Sequence, residues 1–285
     1  MFKPQTLPAG ERAVILFHGL SSSPLEVQLL GRGLQRAGYT VYLPHLPGYG
    51  DGGENDRAVT DWQDWLDQAL REFDRVKALH EHVAIGGLCI GATLALNVAA
   101  RRADQVAAFV ALSITLWYDG WNLPWYRFLL PLAAYVPFGM RYRFKESAPY
   151  GVKDERMRAW IAREMEKTHS SVAGAATLSA ASLIQARRLY RATRRILPRV
   201  TAPTLVIHAM EDDMSSPRNP EYLVRHLGAD QTRYVVLRNS YHMITLDQEK
   251  DRVLAETRTF LDQVLAAAEK KPIPASNVYP IAQSR

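Results

Sequence analysis

A single cysteine between two glycines carries the strongest chemical signal in this sequence. Residues 87–91 read Gly-Leu-Cys-Ile-Gly, after an apolar run and before a helix-like one, and Cys89 is the only cysteine among 285 residues. Strand, sharp glycine-flanked turn and helix form the context in which Gly-x-Ser-x-Gly presents a nucleophile on a strained turn. The positive end of the following helix favours a thiolate and a developing oxyanion. The sequence therefore predicts a nucleophile for acyl transfer, and the alternative is an inert cysteine on a buried core strand.

Two further groups follow in the order nucleophile, acid, histidine. A buried strand runs into Glu211, Asp212 and Asp213, and the next strand runs into a loop that holds His242. Asp212 is the preferred acid from its distance past the strand, with Asp213 and Glu211 as alternatives. In such a triad the histidine takes the thiol proton on one ring nitrogen, while the acid holds the other N–H and fixes the tautomer. Histidines inside or at the ends of predicted elements are interpreted as structural: His80, His82, His169, His208 and His226.

Backbone donors for an oxyanion are expected beside the nucleophile and near the amino terminus. The apolar strand at 13–17 ends in His18, Gly19 and Leu20, before a serine-rich loop. The N–H groups of Leu20 and Ile90 would form the oxyanion hole, where each donor typically lowers the activation barrier by about 3 kcal/mol. Gly19 permits close backbone approach, and His18 is expected to brace the loop.

Alternating apolar elements must position these groups. Strands are predicted at 12–18, 40–44, 82–87, 106–113, 203–209 and 232–238, and helices at 25–37, 61–80, 90–101, 218–228 and 247–268. This alternation predicts an α/β fold with a mostly parallel sheet covered by helices on both faces. Ligands in such folds bind beyond the carboxyl ends of the strands, which is where the candidate triad falls.

The stretch between the fourth and fifth predicted strands is too long for a simple crossover. It predicts an inserted helical cap at 115–198, with the α/β core at 1–114 and 199–269. The last stretch, 270–285, is expected to be a flexible tail.

The predicted cap combines aromatic and basic side chains. Four aromatic residues predict an apolar acyl pocket or an interfacial surface, with ordinary packing as the alternative: Trp117, Trp121, Trp125 and Phe128. Basic residues of the cap supply most of the net charge of +6: Arg141, Arg143, Lys145, Lys153, Arg156, Arg158, Arg187, Arg188, Arg191, Arg194, Arg195 and Arg199. They form either a solvated helix face or a landing surface for an acidic acyl carrier protein, CoA phosphates or anionic lipid.

Composition excludes several classes of protein. One cysteine rules out an internal disulfide framework, and because clustered Cys/His spacing is absent, no metal or cofactor is expected. No recognition motif for nucleic acid accompanies the basic residues. The aromatic stretch is interrupted by an arginine and prolines and is shorter than the ~20 residues of a transmembrane span, which leaves peripheral membrane contact open. The first residues lack the form of a signal peptide and predict a cytoplasmic protein.

The motifs together resemble the bacterial carboxylesterase and monoacylglycerol-lipase branch of the α/β-hydrolases. The segments that carry the resemblance, within 12–113 and 201–265, are 18–19, 29–34, 38–39, 46–50, 61–62, 87–91, 212–214 and 242–247. The resemblance implies an α/β-hydrolase fold, a triad of Cys89, Asp212 and His242, and oxyanion donors at Leu20 and Ile90. That branch normally carries serine at the nucleophile. The Gly-x-Cys-x-Gly form is similar, over these few residues, to the elbow of polyhydroxyalkanoate synthases and of acyltransferases that move acyl groups between carrier thiols.

A thiol nucleophile changes which acyl donors are suitable. An enzyme-bound thioester lies near the free energy of acyl-CoA or an acyl carrier protein, so loading from either is close to isoenergetic. From an oxygen-ester adduct, by contrast, the thiolate is expelled more readily than the alkoxide. We therefore expect hydrolysis of acyl thioesters or esters with an apolar acyl chain. The alternatives are an acyltransferase from CoA or a carrier protein to an alcohol, amine or thiol, and an inactive member of the fold that binds a lipid or a partner.

Overall fold

The computed structural model describes residues 4–46, 59–172 and 174–269. The predicted tail at 270–285 lies outside the described residues. Residues 47–50, the end of one of the segments that carry the family resemblance, also lie outside them. The strands are β1 Gln5–Leu7, β2 Ala13–Phe17, β3 Thr40–Leu43, β4 Val83–Leu88, β5 Val106–Leu112, β6 Arg143–Lys145, β7 Ser170–Ser171, β8 Gly174–Ala175, β9 Thr177–Ser179, β10 Thr204–Ala209 and β11 Thr232–Leu237. The α-helices are α1 Leu25–Arg36, α2 Trp62–Lys77, α3 Ile90–Arg101, α4 Glu155–Thr168, α5 Ala180–Thr193, α6 Arg218–His226 and α7 Lys250–Glu269. Short 3₁₀ helices lie at Trp125–Ala134, Gly139–Arg141 and Leu197–Arg199.

Seven strands form the central sheet, in the order β1-β3-β2-β4-β5-β10-β11. All neighbouring pairs are parallel except β1, which pairs antiparallel with β3 at the edge. Every residue of β2, β4 and β10 is buried, as expected for parallel strands that are covered on both faces. The six strands predicted from apolar runs are therefore confirmed, whereas the edge strand β1 was not predicted.

Helices flank this sheet in two groups. In the first, α1 and α7 pack against each other, α1 against β3, and α7 against β5 and β10. In the second, α3 packs against β2, β4 and β5, and α2 and α5 pack on α3. The predicted α/β architecture, a mostly parallel sheet flanked by helices, is confirmed.

The segment between β5 and β10 contains elements that the sequence pattern left unassigned. Two small antiparallel sheets form there, β6 with β9 and β7 with β8. Helix α4 begins where the Asp154 side chain accepts a hydrogen bond from Met157 N at 2.8 Å, and α5 begins where the Ser179 hydroxyl accepts one from Ser182 N at 3.0 Å. Both side chains are N-caps, which satisfy backbone N–H groups in the first turn of a helix. Because α5 also packs on α2 and α3, the last part of the predicted cap is tied to the core, and the division at 115–198 stays a prediction.

An exposed apolar surface marks the first part of this segment. Its large apolar side chains include Trp125 at 77% exposure, Phe128 at 62%, Tyr135 at 86% and Phe138 at 76%. Within the part of the chain that the structure describes, no helix combines the length and the apolar character needed to span a bilayer.

Candidate active site

Cys89 lies on the turn between β4 and α3. Its backbone has φ 58° and ψ −124°, a conformation that is costly for a residue with a side chain. A Cβ added at Gly87 would lie 2.6 Å from the Phe17 carbonyl oxygen, and one at Gly91 would lie 2.4 Å from the same atom. Only glycine fits at either position, because these contacts are to backbone atoms that cannot move aside. The glycine frame therefore holds the cysteine on a strained elbow against β2.

The acid and the histidine meet at the carboxyl ends of β10 and β11. The Nδ1 atom of His242 lies 2.9 Å from Asp212 Oδ1 and 2.8 Å from Oδ2. Asp212 Oδ1 also accepts hydrogen bonds from Met214 N at 2.9 Å and Ser215 N at 2.7 Å. Burial alone would raise the pKa of Asp212, but the charge of His242 and these hydrogen bonds lower it instead. Asp212 is thus held as a carboxylate that fixes the ring of His242.

The other ring nitrogen of His242 is available for chemistry. Burial acts to lower the pKa of His242, yet the charges of Asp212 and Cys89 together hold it well above the usual value. Within the described residues, Nε2 of His242 makes no hydrogen bond of regular geometry. The Cys89 sulfur lies 3.4 Å from Thr115 Oγ1, a contact that the sequence gave no reason to expect. The structure therefore brings Cys89, His242 and Asp212 into one buried cluster.

The two alternative acids have other roles. Asp213 accepts hydrogen bonds from the backbone N–H of His242 at 3.3 Å and of Gly151 at 3.2 Å, and does not contact the ring. Glu211 is exposed and pairs with Lys153 at 2.6 Å. Of the three carboxylates that follow β10, only Asp212 is hydrogen-bonded to the imidazole.

Two further buried side chains stabilise the positions of Asp212 and of the loop that carries His242. The Nε2 atom of His208 lies 2.8 Å from the Ser215 carbonyl oxygen, to which it donates, and 3.5 Å from Asp212 Oδ2. Burial lowers the pKa of His208, which keeps its ring neutral. Asp247 accepts from the backbone N–H groups of Tyr241 at 2.7 Å and Lys153 at 2.8 Å. Asp247 thereby ties the His242 loop to the segment that precedes α4.

The loop after β2 carries the predicted oxyanion donor. Glu26 accepts a hydrogen bond from Gly19 N, and the His18 ring bonds the Gly19 carbonyl oxygen at 2.9 Å. Within the described residues, the N–H groups of Leu20 and Ile90 have no hydrogen-bond partner. Ile90 is the first residue of α3, where a helix leaves its N–H groups free. Both predicted donors are therefore available to a ligand beside Cys89.

Glu26 is a buried carboxyl group that the sequence did not single out. It lies in the first turn of α1, is 3% exposed and faces the cavity beside Cys89. Burial raises its pKa to about 7, against the lowering effects of Gly19 N–H and of the charge of His242. Burial also lowers the pKa of His18 to about 4, so this neighbour stays neutral. A glutamate in a helix is usually solvent-exposed, so the sequence around Glu26 does not indicate that this side chain is buried beside Cys89.

Two adjoining cavities open from the cluster. The smaller, of about 70 Å³, is lined by Leu20, Glu26, Cys89 and His242 among others. The larger, of about 910 Å³, lies under the segment between β5 and β10. Tyr118 lines both cavities, so the two adjoin at its side chain.

Two of the four aromatic residues predicted for the substrate pocket line the larger cavity, and two do not. Trp117 and Phe128 line the larger cavity. Trp121 instead packs edge-on against Tyr241 at 5.4 Å and donates its indole N–H to the Glu211 carbonyl oxygen. Trp125 is 77% exposed. Trp121 and Trp125 thus line neither of these two cavities, and their assignment to a substrate pocket stays a prediction.

Comparison with known proteins agrees with this geometry. Residues 9–249 match the family model Hydrolase_4, described as serine aminopeptidase, S33. The thermostable monoacylglycerol lipase of Bacillus sp. (strain H-257) is 27% identical over 252 residues, covering 88% of this chain and 90% of that protein. The carboxylesterase of Bacillus subtilis (strain 168) is 24% identical over 269 residues, covering 92% and 97%.

The solved structures give the same fold. The monoacylglycerol lipase of Paleococcus ferrophilus superposes with a TM-score of 0.75 at 18% identity, over 93% of this chain and 99% of that one. Since the family model spans most of the sequence, the chain belongs to the Hydrolase_4 family (serine aminopeptidase, S33) of the α/β-hydrolases and is an enzyme of the hydrolase class.

Proposed function

We propose that this hydrolase cleaves carboxylic esters and acyl thioesters through an acyl intermediate on Cys89. The observation that carries the proposal is the clamp of Asp212 on Nδ1 of His242, at 2.8 and 2.9 Å. The clamp occupies Nδ1, and among the described residues Nε2 makes no hydrogen bond of regular geometry in the buried cluster that contains the elbow cysteine. A nucleophile, a base and an orienting acid in this relation are the parts that acyl transfer requires.

The names of the relatives support the same class of reaction. The curated proteins that this chain resembles are a monoacylglycerol lipase and a carboxylesterase, and both act on esters of carboxylic acids. At 24–27% identity these names support ester hydrolysis in general and leave the acyl chain and the alcohol of this chain's substrate open.

The residues have distinct steps in the proposed mechanism. His242 Nε2 takes the proton of Cys89, and the sulfur attacks the carbonyl carbon of the substrate. The negative charge moves to the carbonyl oxygen, where the N–H groups of Leu20 and Ile90 stabilise it. The adduct then collapses, and His242 returns the proton to the departing alcohol or thiol. Water, deprotonated by the same nitrogen, hydrolyses the acyl-cysteine and regenerates the thiol.

Asp212 contributes by its charge as well as by its position. Because its carboxylate raises the pKa of His242, the imidazolium that forms during each proton transfer is stabilised. Transfer of the Cys89 proton therefore produces a pair of opposite charges inside a buried cluster. Such a pair is stronger there than in water.

The larger cavity suits an apolar acyl chain. Phe128 and Leu178 line it, and Tyr118 lines both this cavity and the smaller one beside Cys89. A cavity of about 910 Å³ lies within the usual range for small-molecule sites. The exposed apolar side chains around Trp125, with Arg127 and Arg141 nearby in sequence, suit contact with a lipid surface that presents such substrates.

Transfer of the acyl group to an acceptor other than water is the second candidate. Cys89 favours it, because an acyl-cysteine and an acyl-CoA or carrier thioester are close in free energy. Adding an alcohol, an amine or a thiol to the assay and measuring free acid against acylated acceptor separates the two reactions.

The experiment that tests the proposal is hydrolysis of matched oxygen esters and thioesters over a series of chain lengths. We expect release of free acid from medium-chain substrates by the wild type, and a loss of at least about 1,000-fold in kcat/KM in Cys89→Ala and His242→Ala. Lys77→Ala, on the exposed end of α2, is the control variant and should retain wild-type rates. Hydrolysis that persists in Cys89→Ala would refute the nucleophile. No hydrolysis and no acyl transfer with any chain length would support an inactive member that only binds its ligand.

A further inference from the structure

Four arginines meet at one wall of the larger cavity. Arg187, Arg191 and Arg194 come from α5 and its last turn, and Arg218 comes from the start of α6. The spacing of the first three, at i, i+4 and i+7, places them on one face of a helix. Arg188 lies on another face and pairs with Asp61 at 3.6 Å.

Two of these guanidinium groups are held in place by an aromatic ring. The carbon Cζ of Arg194 lies 4.6 Å from the centroid of the Trp117 ring, and Cζ of Arg218 lies 4.5 Å from it. Arg194 Nη1 also donates to the Leu116 carbonyl oxygen at 2.6 Å. Cation–π stacking of this kind orients a guanidinium without neutralising it. The positive charges are therefore positioned but not cancelled.

Among the described residues, no carboxylate forms an ion pair with these arginines. Asp119 and Glu146 also line the cavity. The Asp119 carboxylate accepts hydrogen bonds from Ser216 N at 2.9 Å and Asn219 Nδ2 at 2.8 Å, and in the described part of the chain it forms no ion pair with an arginine of the cavity. Burial and the negative charge of Asp213 raise the pKa of Glu146 to about 7, against the lowering effect of His242, so this group is incompletely ionised at neutral pH.

The four arginines also repel one another. Burial lowers the pKa of Arg194, and the positive charges of Arg191, Arg187 and Arg218 lower it further. An oxyanion among them would relieve this repulsion and could accept paired hydrogen bonds from planar guanidinium groups. The rest of the lining combines apolar side chains, such as Phe128, Leu130 and Leu183, with two further cations, Arg127 and Lys145. The chemistry of the cavity is thus that of an apolar chain joined to an anionic group.

We propose that the larger cavity selects substrates that carry an oxyanionic group, a phosphate or a carboxylate, which the arginine wall binds while the scissile carbonyl lies at Cys89. This inference rests on the proposed function, since it names the class of ester or thioester that the same site takes. The anion can belong either to the acyl chain, as a terminal carboxylate, or to the leaving group, as a phosphate.

Two matched pairs of substrates separate these sources. The first pair is p-nitrophenyl hydrogen suberate and its methyl ester, which differ by a charge at the end of the acyl chain. The second pair is octanoyl-4′-phosphopantetheine and octanoyl-pantetheine, which differ by one phosphate on the leaving thiol. We expect the charged partner of at least one pair to have about 10-fold higher kcat/KM, and added salt to reduce that ratio.

The Arg191→Gln, Arg218→Gln double variant should bring the ratio of charged to neutral kcat/KM close to one. Arg188→Gln, one residue away on the same helix, should leave the ratio unchanged. Equal rates within both pairs, or a ratio that Arg188→Gln reduces as much as the double variant does, would overturn the inference. Hydrolysis of the neutral substrates would still stand in that case, so the proposed function would survive.

A binding measurement tests the arginine wall without turnover. Octyl phosphate and octanol are titrated into Cys89→Ala, and the fluorescence of the tryptophans is followed, because Trp117 stacks on two of the arginines. We expect saturable binding of octyl phosphate, at least about 10-fold tighter than that of octanol, and a loss of this difference when Arg191→Gln and Arg218→Gln are added. Equal affinity for the two ligands would refute the anion site even if no ester is hydrolysed.

Discussion

Replacing Asp212 by asparagine should disable His242 while leaving the fold intact. Asp212 Oδ1 accepts hydrogen bonds from Met214 N and Ser215 N, at 2.9 and 2.7 Å. In Asp212→Asn the amide oxygen must keep this place, because the amide nitrogen would face two donors there. The NH₂ group then replaces Oδ2 and donates to Nδ1 of His242, which lies 2.8 Å away. The neutral ring would carry its proton on Nε2, the nitrogen that must accept the proton of Cys89.

The size of the effect follows from this change of tautomer. An orienting carboxylate exchanged for an amide typically costs roughly 10,000-fold in kcat, or about 5.5 kcal/mol of barrier. A thiolate attacks without a general base, so the deficit of Asp212→Asn should shrink as the pH rises from 7 to 9.5. In the Cys89→Ser background the deficit should stay constant over that range, because a serine hydroxyl does not ionise there.

The assay is kcat/KM for ester hydrolysis from pH 6 to pH 9.5, with urea unfolding as the check on the fold. Asp213→Asn is the matched control, since among the described residues the Asp213 side chain accepts hydrogen bonds from the backbone N–H groups of His242 and Gly151 and none from the His242 ring. It should lose less than about 10-fold. The reasoning is refuted if Asp212→Asn retains more than a tenth of the activity at pH 7, or if Asp213→Asn is the more severe change.

Three further variants test separate parts of the account. Because burial raises the pKa of Glu26 from 4.5 to about 7, the native state keeps a proton that the unfolded state releases, and stability falls as pH rises through this window. Glu26→Gln should abolish up to about 3 kcal/mol of that fall between pH 4.5 and 7.5 in urea titrations, and an unchanged pH dependence would contradict it. Gly91→Ala should lower the free energy of unfolding by at least about 2 kcal/mol, because its Cβ would lie 2.4 Å from the Phe17 carbonyl oxygen; wild-type stability would show that the elbow can widen. Cys89→Ser should keep the fold and raise the ratio of kcat/KM for oxygen esters to that for thioesters, and complete inactivity on both would count against this.

The core of the fold could be predicted because its strands are buried on both faces. The run 13–17 is apolar throughout, and 204–209 is apolar except for Thr204 and His208. Glycine, proline or charged residues bound both runs. Strand β1 has three residues at the sheet edge, too few for a periodic pattern. In the predicted cap, α4 and α5 carry many charges, and their assignment depends on packing that the local pattern does not record.

The candidate site divides in a similar way. The glycines around Cys89 indicate the elbow, because glycine is required where close backbone contacts leave no room for a Cβ atom. The order of acid and histidine also follows from the elements that precede them. The sequence favours Asp212 over Asp213 by its distance past the strand. The direction of each side chain at the turn, which decides whether it reaches the His242 ring, cannot be read from two adjacent aspartates. Glu26 and Thr115 reach the cluster only through the folding of distant segments, so nothing beside them in the sequence marks them.

The acyl-cysteine is the central claim, and its mass is the most direct measurement of it. The wild type, Cys89→Ala and His242→Ala are each mixed with p-nitrophenyl octanoate or octanoyl-CoA, quenched in acid within the first turnover, and measured as intact protein and as peptides. The account predicts one octanoyl group on the peptide that contains Cys89 in the wild type, a much slower appearance in His242→Ala and none in Cys89→Ala. Turnover without any adduct on Cys89, or an adduct of the same yield on another residue in Cys89→Ala, would contradict it.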